Sequence, residues 1–128
     1  MQIYLENNVD FSTFSRFLTK LNDSNLQYLS LNQSIMGLKD LIKLIHYLNS
    51  LQKLILTFCE IHGDIENVKI TTKSRLELKS ILLNECSYGF KIEDLARFLL
   101  QNDSLKKQLS IRSYSQAGKS ENILCSDL

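Results

Sequence analysis

An internal repeat constrains the fold of this chain more than any other feature of its sequence. Five short apolar phrases recur, and the intervals between their first core residues are 26, 25, 27 and 28 residues. The phrases are Ile3-x-Leu5-x-x-Asn8, Leu26-x-x-Leu29-x-Leu31-x-x-Ser34, Leu51-x-x-Leu54-x-Leu56-x-x-Cys59, Leu78-x-x-Ile81-x-Leu83-x-x-Cys86 and Leu109-x-Ile111-x-x-Tyr114. Self-similarity at such a period is typical of proteins in which each unit stacks on the next, so the sequence predicts a solenoid.

Each phrase predicts a short strand that ends at a corner. Apolar residues alternate within the phrases, so their side chains point to one face of a strand. A glycine follows each of the last four phrases by three or four residues, at positions 37, 63, 89 and 118. Because glycine adopts backbone angles that other residues avoid, we expect these glycines to mark the corner where strand becomes loop.

Between the corners the apolar spacing changes to that of a helix. Residues three or four positions apart are apolar over 11–21, 38–48 and 92–100, which predicts three amphipathic helices. Residues 64–75 contain few apolar residues and two adjacent threonines, so we predict a short or irregular helix there. The repeating unit is therefore strand, corner, helix and polar turn, which is an α/β unit.

The repeat length, the Cys or Asn that ends the strand phrase, the glycine and the helical return resemble the ribonuclease-inhibitor-like class of leucine-rich repeats. The resemblance covers residues 1–114, expected as one domain of about five repeats, with a polar C-terminal tail over 115–128. It implies a short curved stack with a parallel sheet on the concave face and helices on the convex face. Members mostly bind other proteins through the concave face, so the resemblance implies a non-enzymatic protein–protein interaction module.

The outward-pointing residues of the strands are the candidate partner-binding surface. Strand alternation separates them from the core residues. Most are polar, but Ile55 and Leu82 are apolar and fall on neighbouring strands, as the centre of an interface would. Scattered exposed apolar residues are also ordinary on protein surfaces. The predicted concave-face site consists of Tyr4, Tyr28, Ser30, Lys53, Ile55, Leu82, Ser110 and Arg112.

The N-terminal end of the stack is a second candidate contact. Repeat stacks normally need capping units, and Ile3 and Leu5 point into a core that no earlier unit covers. We expect this end to contact another subunit or a second copy, because an open strand edge invites pairing. The alternative function is therefore a structural subunit, or a fragment of a longer array or larger assembly, held by its uncapped ends and convex helices.

The cysteines predict free thiols rather than a disulfide framework or a metal site. Cys59 and Cys86 hold the same position in successive phrases, so we expect two free thiols buried beneath the turn. Cys125 falls in the polar tail, where we expect an accessible thiol. A zinc site would need Cys59, Cys86, His62 and His46, but their spacing fits no ligand framework, and we expect His46 on the flank of its helix.

Composition and motifs exclude several functional classes. A formal net charge of +1 over 128 residues is not that of a nucleic-acid-binding protein. The sequence contains no phosphate loop, nucleophile elbow or dinucleotide fingerprint, so we expect no enzyme and no cofactor. It also lacks the pattern of a signal peptide or a membrane span. We therefore expect a cytoplasmic or nuclear protein with a protein partner and no membrane partner.

Overall fold

The computed structural model describes residues 2–5, 16, 26–69, 75–105, 108–116 and 120–128. Side chains are not described at 3–5, 67 and 127. Within these residues the strands are β1 (Gln2–Leu5), β2 (Tyr28–Asn32), β3 (Ile35–Gly37), β4 (Lys53–Thr57), β5 (Glu60–His62), β6 (Ser80–Asn84), β7 (Ser87–Tyr88), β8 (Ser110–Tyr114) and β9 (Glu121–Leu124). The helices are α1 (Leu38–Tyr47) and α2 (Ile92–Leu99).

Two sheets organise these strands. The larger has six strands in the order β1-β2-β4-β6-β8-β9, and the smaller has three in the order β3-β5-β7. Neighbouring strands are parallel throughout, except that β9 runs antiparallel to β8. The predicted α/β class with a parallel sheet is therefore confirmed. After each of β2, β4 and β6, two residues lead into a strand of the small sheet. The same short connection therefore joins the two sheets three times.

Equivalent positions of successive phrases lie opposite one another in the large sheet. The strands alternate between buried and partly exposed residues, so each contributes two side chains to the inside. The two inner rows are Leu29, Leu54, Ile81 and Ile111, and Leu31, Leu56, Leu83 and Ser113. All eight are buried, and together with the apolar faces of α1 and α2 they form most of the core.

The register of the fifth strand differs from the prediction. Ile111, not Leu109, lies opposite Ile81, so the final interval between first core residues is 30 residues and not 28. Consequently Ser113 takes the second inner position, and Tyr114 lies in the strand on the outward side, 49 % exposed. Buried Ser113 is satisfied by the hydroxyl of Tyr88, which lies 2.6 Å from its Oγ. Leu109 remains buried just before the strand begins.

The corners after the strands are not formed by the glycines. Left-handed backbone angles occur at Gln33, Phe58 and Glu85, each directly after a strand of the large sheet. Gly37 has an extended conformation and ends β3, whereas Gly63 follows β5 with a φ of 110°. For the described glycines, the predicted corner at the end of the large-sheet strands is therefore wrong, and Gly63 serves the second turn, between the small sheet and the following segment. Gly118 lies outside the described residues.

The helices follow their apolar spacing. Both α1 and α2 lie within the predicted ranges 38–48 and 92–100, and each buries its apolar side against the sheet. In the third unit a 3-10 turn at Ile65–Asn67 is the helical element that the structure describes, as the weak pattern predicted. His46 is buried and not on the helix flank, with Nδ1 2.9 Å from the carbonyl oxygen of Ile42. Of the predicted helix 11–21, only residue 16 is described, and it is helical.

The segment expected as a polar tail contains the last strand of the sheet. Residues 121–124 pair with β8, and Ile123 lies opposite Ile111 and packs against the core. Cys125 follows and is fully buried, so the expectation of an accessible thiol there is wrong. The prediction failed because an edge strand with one solvated face reads as polar in sequence, whereas its pairing depends on contact with β8.

Truncating an inner-row leucine should destabilise the protein far more than truncating its outward neighbour. Leu56 is fully buried at the middle of the sheet, so Leu56→Ala should lower the free energy of unfolding by ~2–5 kcal/mol. Ile55→Ala is the matched control, because Ile55 lies on the same strand, points to the opposite face and is only half-buried. Urea unfolding of both variants checks this. Equal losses in the two variants would contradict the assignment of inner and outer rows.

Candidate interaction surface

The side of the large sheet opposite the core forms one continuous surface, here called the outward face. In β2, β4, β6 and β8 it takes the first, third and fifth residue of each strand, which are partly or fully exposed. Register extends it onto β9, since Asn122 lies opposite Arg112 and Leu124 opposite Ser110. Its members are Tyr28, Ser30, Asn32, Lys53, Ile55, Thr57, Ser80, Leu82, Asn84, Ser110, Arg112, Tyr114, Asn122 and Leu124.

Seven of the eight predicted partner-binding residues lie on two neighbouring rows of this face. Lys53, Tyr28 and Ser110 share the row at the start of the strands with Ser80. The central row consists of Ser30, Ile55, Leu82 and Arg112. These are the other four predicted residues whose side chains are described, and they lie side by side. Tyr4 lies opposite Ser30 in β1, but its side chain, like those of Ile3 and Leu5, is outside the described part.

The centre of the outward face is an apolar pair. Ile55 and Leu82 lie directly opposite each other on β4 and β6, the middle strands of the sheet, and both are half-buried. Partners on neighbouring strands lie about 4.8 Å apart, so the two side chains form one patch. Beside them the ammonium of Lys53 lies 5.8 Å from the ring centroid of Tyr28, a cation–π contact that holds the lysine over the first row.

The charge of the outward face has one sign. Lys53 and Arg112 are its two charged residues, both are exposed, and none of the fourteen members carries a carboxylate. Outside the face, Glu60 begins β5 and Glu85 directly follows β6. Glu85 is engaged there, since its Oε1 accepts a hydrogen bond from the backbone amide of Gln116 at 2.6 Å. The charged members of the face are therefore both cations, although the whole chain carries a formal net charge of only +1.

Large apolar side chains are most exposed at the margins of the face. Tyr114 and Leu124 are members at its far edge, and Phe58, directly after β4, is 58 % exposed. Sequence reasoning missed all three. Tyr114 follows Ser110 and Arg112 by an even number of positions, so strand alternation would have placed it on the same face. The position of Leu124 on the face depends on the pairing of β9, for which the sequence has no local signal.

Phe58 is held in an unfavourable backbone conformation. Its φ is 53°, and the residues at the equivalent corners, Gln33 and Glu85, are polar. Bulky side chains are rare in this region, and strained residues concentrate at functional sites. An exposed aromatic ring at a strained corner is therefore a candidate contact residue beside the outward face.

The histidines and cysteines do not assemble a metal site. His62 is exposed and pairs with Glu60 at 3.3 Å, and buried His46 contacts the carbonyl of Ile42. Across the described residues, no group of three or more His, Cys, Asp or Glu side chains is placed to hold a metal ion. The two histidines thus lie in separate local contacts.

Comparison with protein families, with curated proteins and with solved structures finds no match for this chain. In the part of the chain that the structure describes, no helix has both the length and the apolar character needed to cross a membrane.

Replacing Phe58 should relieve strain without removing buried contacts. Phe58→Asn should raise the free energy of unfolding by roughly 1 kcal/mol, because asparagine tolerates the left-handed conformation and the lost ring is largely exposed. Phe58→Val is the matched control and should destabilise, since a β-branched residue fits this conformation worst. Chemical denaturation of the three proteins gives the comparison. An Asn variant less stable than the parent chain would show that the ring is held by packing.

Proposed function

We propose that this chain is a non-enzymatic interaction module, a leucine-rich-repeat solenoid of the ribonuclease-inhibitor-like class, which binds a partner protein through the outward face. In such a stack this face is the concave one. The support is the register: the first four phrases recognised in the sequence fall opposite one another strand by strand, and each of three strands leads through a left-handed corner into the small sheet.

The observation that carries the proposal is the arrangement of the central row. Ile55 and Leu82 form an apolar centre, and the exposed cation of Arg112 lies next to Leu82. Interfaces commonly combine an apolar centre with a charged rim, and arginine is one of the residues that dominate binding energy. An apolar pair at the centre of an otherwise polar row, with an exposed cation beside it, favours a contact with a partner.

The charge of the face indicates the chemistry of the partner. Two cations and no carboxylate among its fourteen members attract an acidic segment and repel a basic one. The partner is therefore a protein segment with an apolar side chain for the Ile55–Leu82 patch and a carboxylate for Arg112. Tyr28 and Tyr114 add aromatic area on either side.

A second candidate is a structural subunit held by its ends and its helices. Large apolar side chains that are exposed outside the outward face favour this candidate. Ile35 in the small sheet is 61 % exposed, and Tyr47 at the end of α1 is also exposed. A subunit packed into a larger assembly would cover these side chains.

Reversing the charge of Arg112 should weaken partner binding at least roughly tenfold, equivalent to about 1.4 kcal/mol. The test is affinity capture with the full chain, quantitative mass spectrometry and titration of each captured protein. Lys39→Glu is the matched control, because Lys39 is an exposed cation on α1, away from the sheet. The proposal requires a partner that the parent chain and Lys39→Glu retain and Arg112→Glu loses. A partner insensitive to Arg112→Glu contradicts it.

Apolar substitutions separate the two candidate functions. Leu82→Asn should abolish capture by the outward face, whereas Tyr47→Ser should leave it unchanged. The reverse pattern, with Tyr47→Ser or Ile35→Ser losing the partner, would favour the structural subunit. Circular dichroism of each variant establishes that it folds, because Leu82 is half-buried.

A further inference from the structure

Two cysteines stand next to each other beneath the turn that joins the two sheets. Cys59 and Cys86 each directly precede a strand of the small sheet, and the following residues, Glu60 and Ser87, are register partners. The backbone amide of Ser87 donates to the carbonyl of Cys59 at 3.0 Å, which ties the two turns together. Partner positions on parallel strands lie about 4.8 Å apart, within the range of roughly 4.4–6.8 Å that a disulfide needs between Cα atoms.

The two thiols have the same orientation. Each Sγ donates to a core-strand carbonyl of the preceding unit, Cys59 to Leu31 at 3.6 Å and Cys86 to Leu56 at 3.2 Å. Each also approaches the carbonyl of the residue two positions earlier, at 3.4 Å from Cys59 to Thr57 and 3.6 Å from Cys86 to Asn84. A thiol is a weak donor, so rotating either sulfur toward the other breaks only weak hydrogen bonds.

The contact between the two thiols shifts the pKa of each. When Cys59 is ionised, the Cys86 thiol donates its proton to that thiolate and not to the Leu56 carbonyl, which lowers the pKa of Cys59 to about 7. The same contact, with burial, raises the pKa of Cys86. The pair therefore loses its first proton more readily than an isolated thiol, and the thiolate is the nucleophile in disulfide exchange. Cys59 is buried, but Cys86 is partly exposed, so a small oxidant reaches the pair from the Cys86 side.

We propose that Cys59 and Cys86 are a reversible redox pair that closes an internal disulfide on meeting a low-molecular-weight disulfide such as oxidised glutathione. Transfer of the Cys86 proton to the Cys59 thiolate gives the less populated form of the pair, with the thiolate on Cys86. This thiolate attacks one sulfur of the oxidant, whose S–S bond breaks and releases one glutathione thiolate. Cys59 then loses its proton to solvent and attacks the Cys86 sulfur of the mixed disulfide, which releases the second glutathione. The two cysteines together lose two electrons and two protons, and the oxidant is reduced to two thiols.

The bridge would close a loop across the third unit of the fold. It encloses residues 60–85, whose helical element in the described part is the 3-10 turn at Ile65–Asn67. Closing a loop in the unfolded chain stabilises the folded state, so the oxidised protein should melt at a higher temperature. The redox pair is independent of the proposed partner binding, since its test uses the purified chain alone.

The test is redox equilibration of the purified full chain with reduced and oxidised glutathione, followed by acid quenching and alkylation in denaturant. We expect accessible thiols to fall from three to one, a Cys59–Cys86 cross-linked peptide in the mass spectrum, and a rise in melting temperature that a dithiol reductant reverses. The mapping needs no variant, so it remains decisive if a cysteine substitution fails to fold.

Two variants sharpen the assignment. Cys125→Ala should form the bridge as the parent chain does, because Cys125 is buried apart from the pair and burial raises its pKa. Cys86→Ser should form no internal bridge. Glutathione adducts that persist at Cys86 without a bridge, a bridge that includes Cys125, or three thiols remaining in folded protein after equilibration would each overturn the proposal.

Discussion

Backbone hydrogen bonding between parallel strands at one constant register is the constraint on which the rest of this structure depends. From β1 to β8, each strand of the large sheet meets its neighbour so that equivalent residues lie opposite one another. A shift of one residue at any step would move buried leucines to the outward face. The inner rows, which gain most from burial, therefore also determine which residues share the outer rows.

At the corners, the ladder of backbone hydrogen bonds between neighbouring strands continues beyond the ends of the strands. The amides of the three left-handed residues continue it: Gln33 donates to Thr57 at 2.9 Å, Phe58 to Asn84 at 2.9 Å and Glu85 to Tyr114 at 2.8 Å. Because these amides are satisfied, the corner costs only the conformational strain of one residue per unit. The chain then enters the small sheet, which aligns the turns and brings Cys59 and Cys86 side by side.

Local spacing predicted the elements, whereas non-local pairing decided the details. The five parallel strands of the large sheet and both helices α1 and α2 followed from apolar periodicity, whereas β3, β5, β7 and β9 were not predicted. The fifth register did not, because Leu109 is buried in either alignment and only pairing with β6 selects Ile111. The corners fell at Gln33, Phe58 and Glu85, which carry no common side-chain signal. On the surface, the alternation of residues along β2, β4, β6 and β8 was enough to predict the outer rows. The positions of Leu124 and Cys125 depended instead on an antiparallel strand, which the sequence presents as a polar tail.

The division between inner and outer rows explains how such a fold can acquire a specific surface. Inner positions are leucine or isoleucine in three consecutive strands, since their packing repeats from unit to unit. Outer positions are not constrained by core packing, and the central row changes from Ser30 through Ile55 and Leu82 to Arg112. A gradient from polar to apolar to cationic across four strands is directional. If the proposed partner binds this face, the order of the side chains as well as their kind contributes to its selection, which a uniform apolar patch would not do.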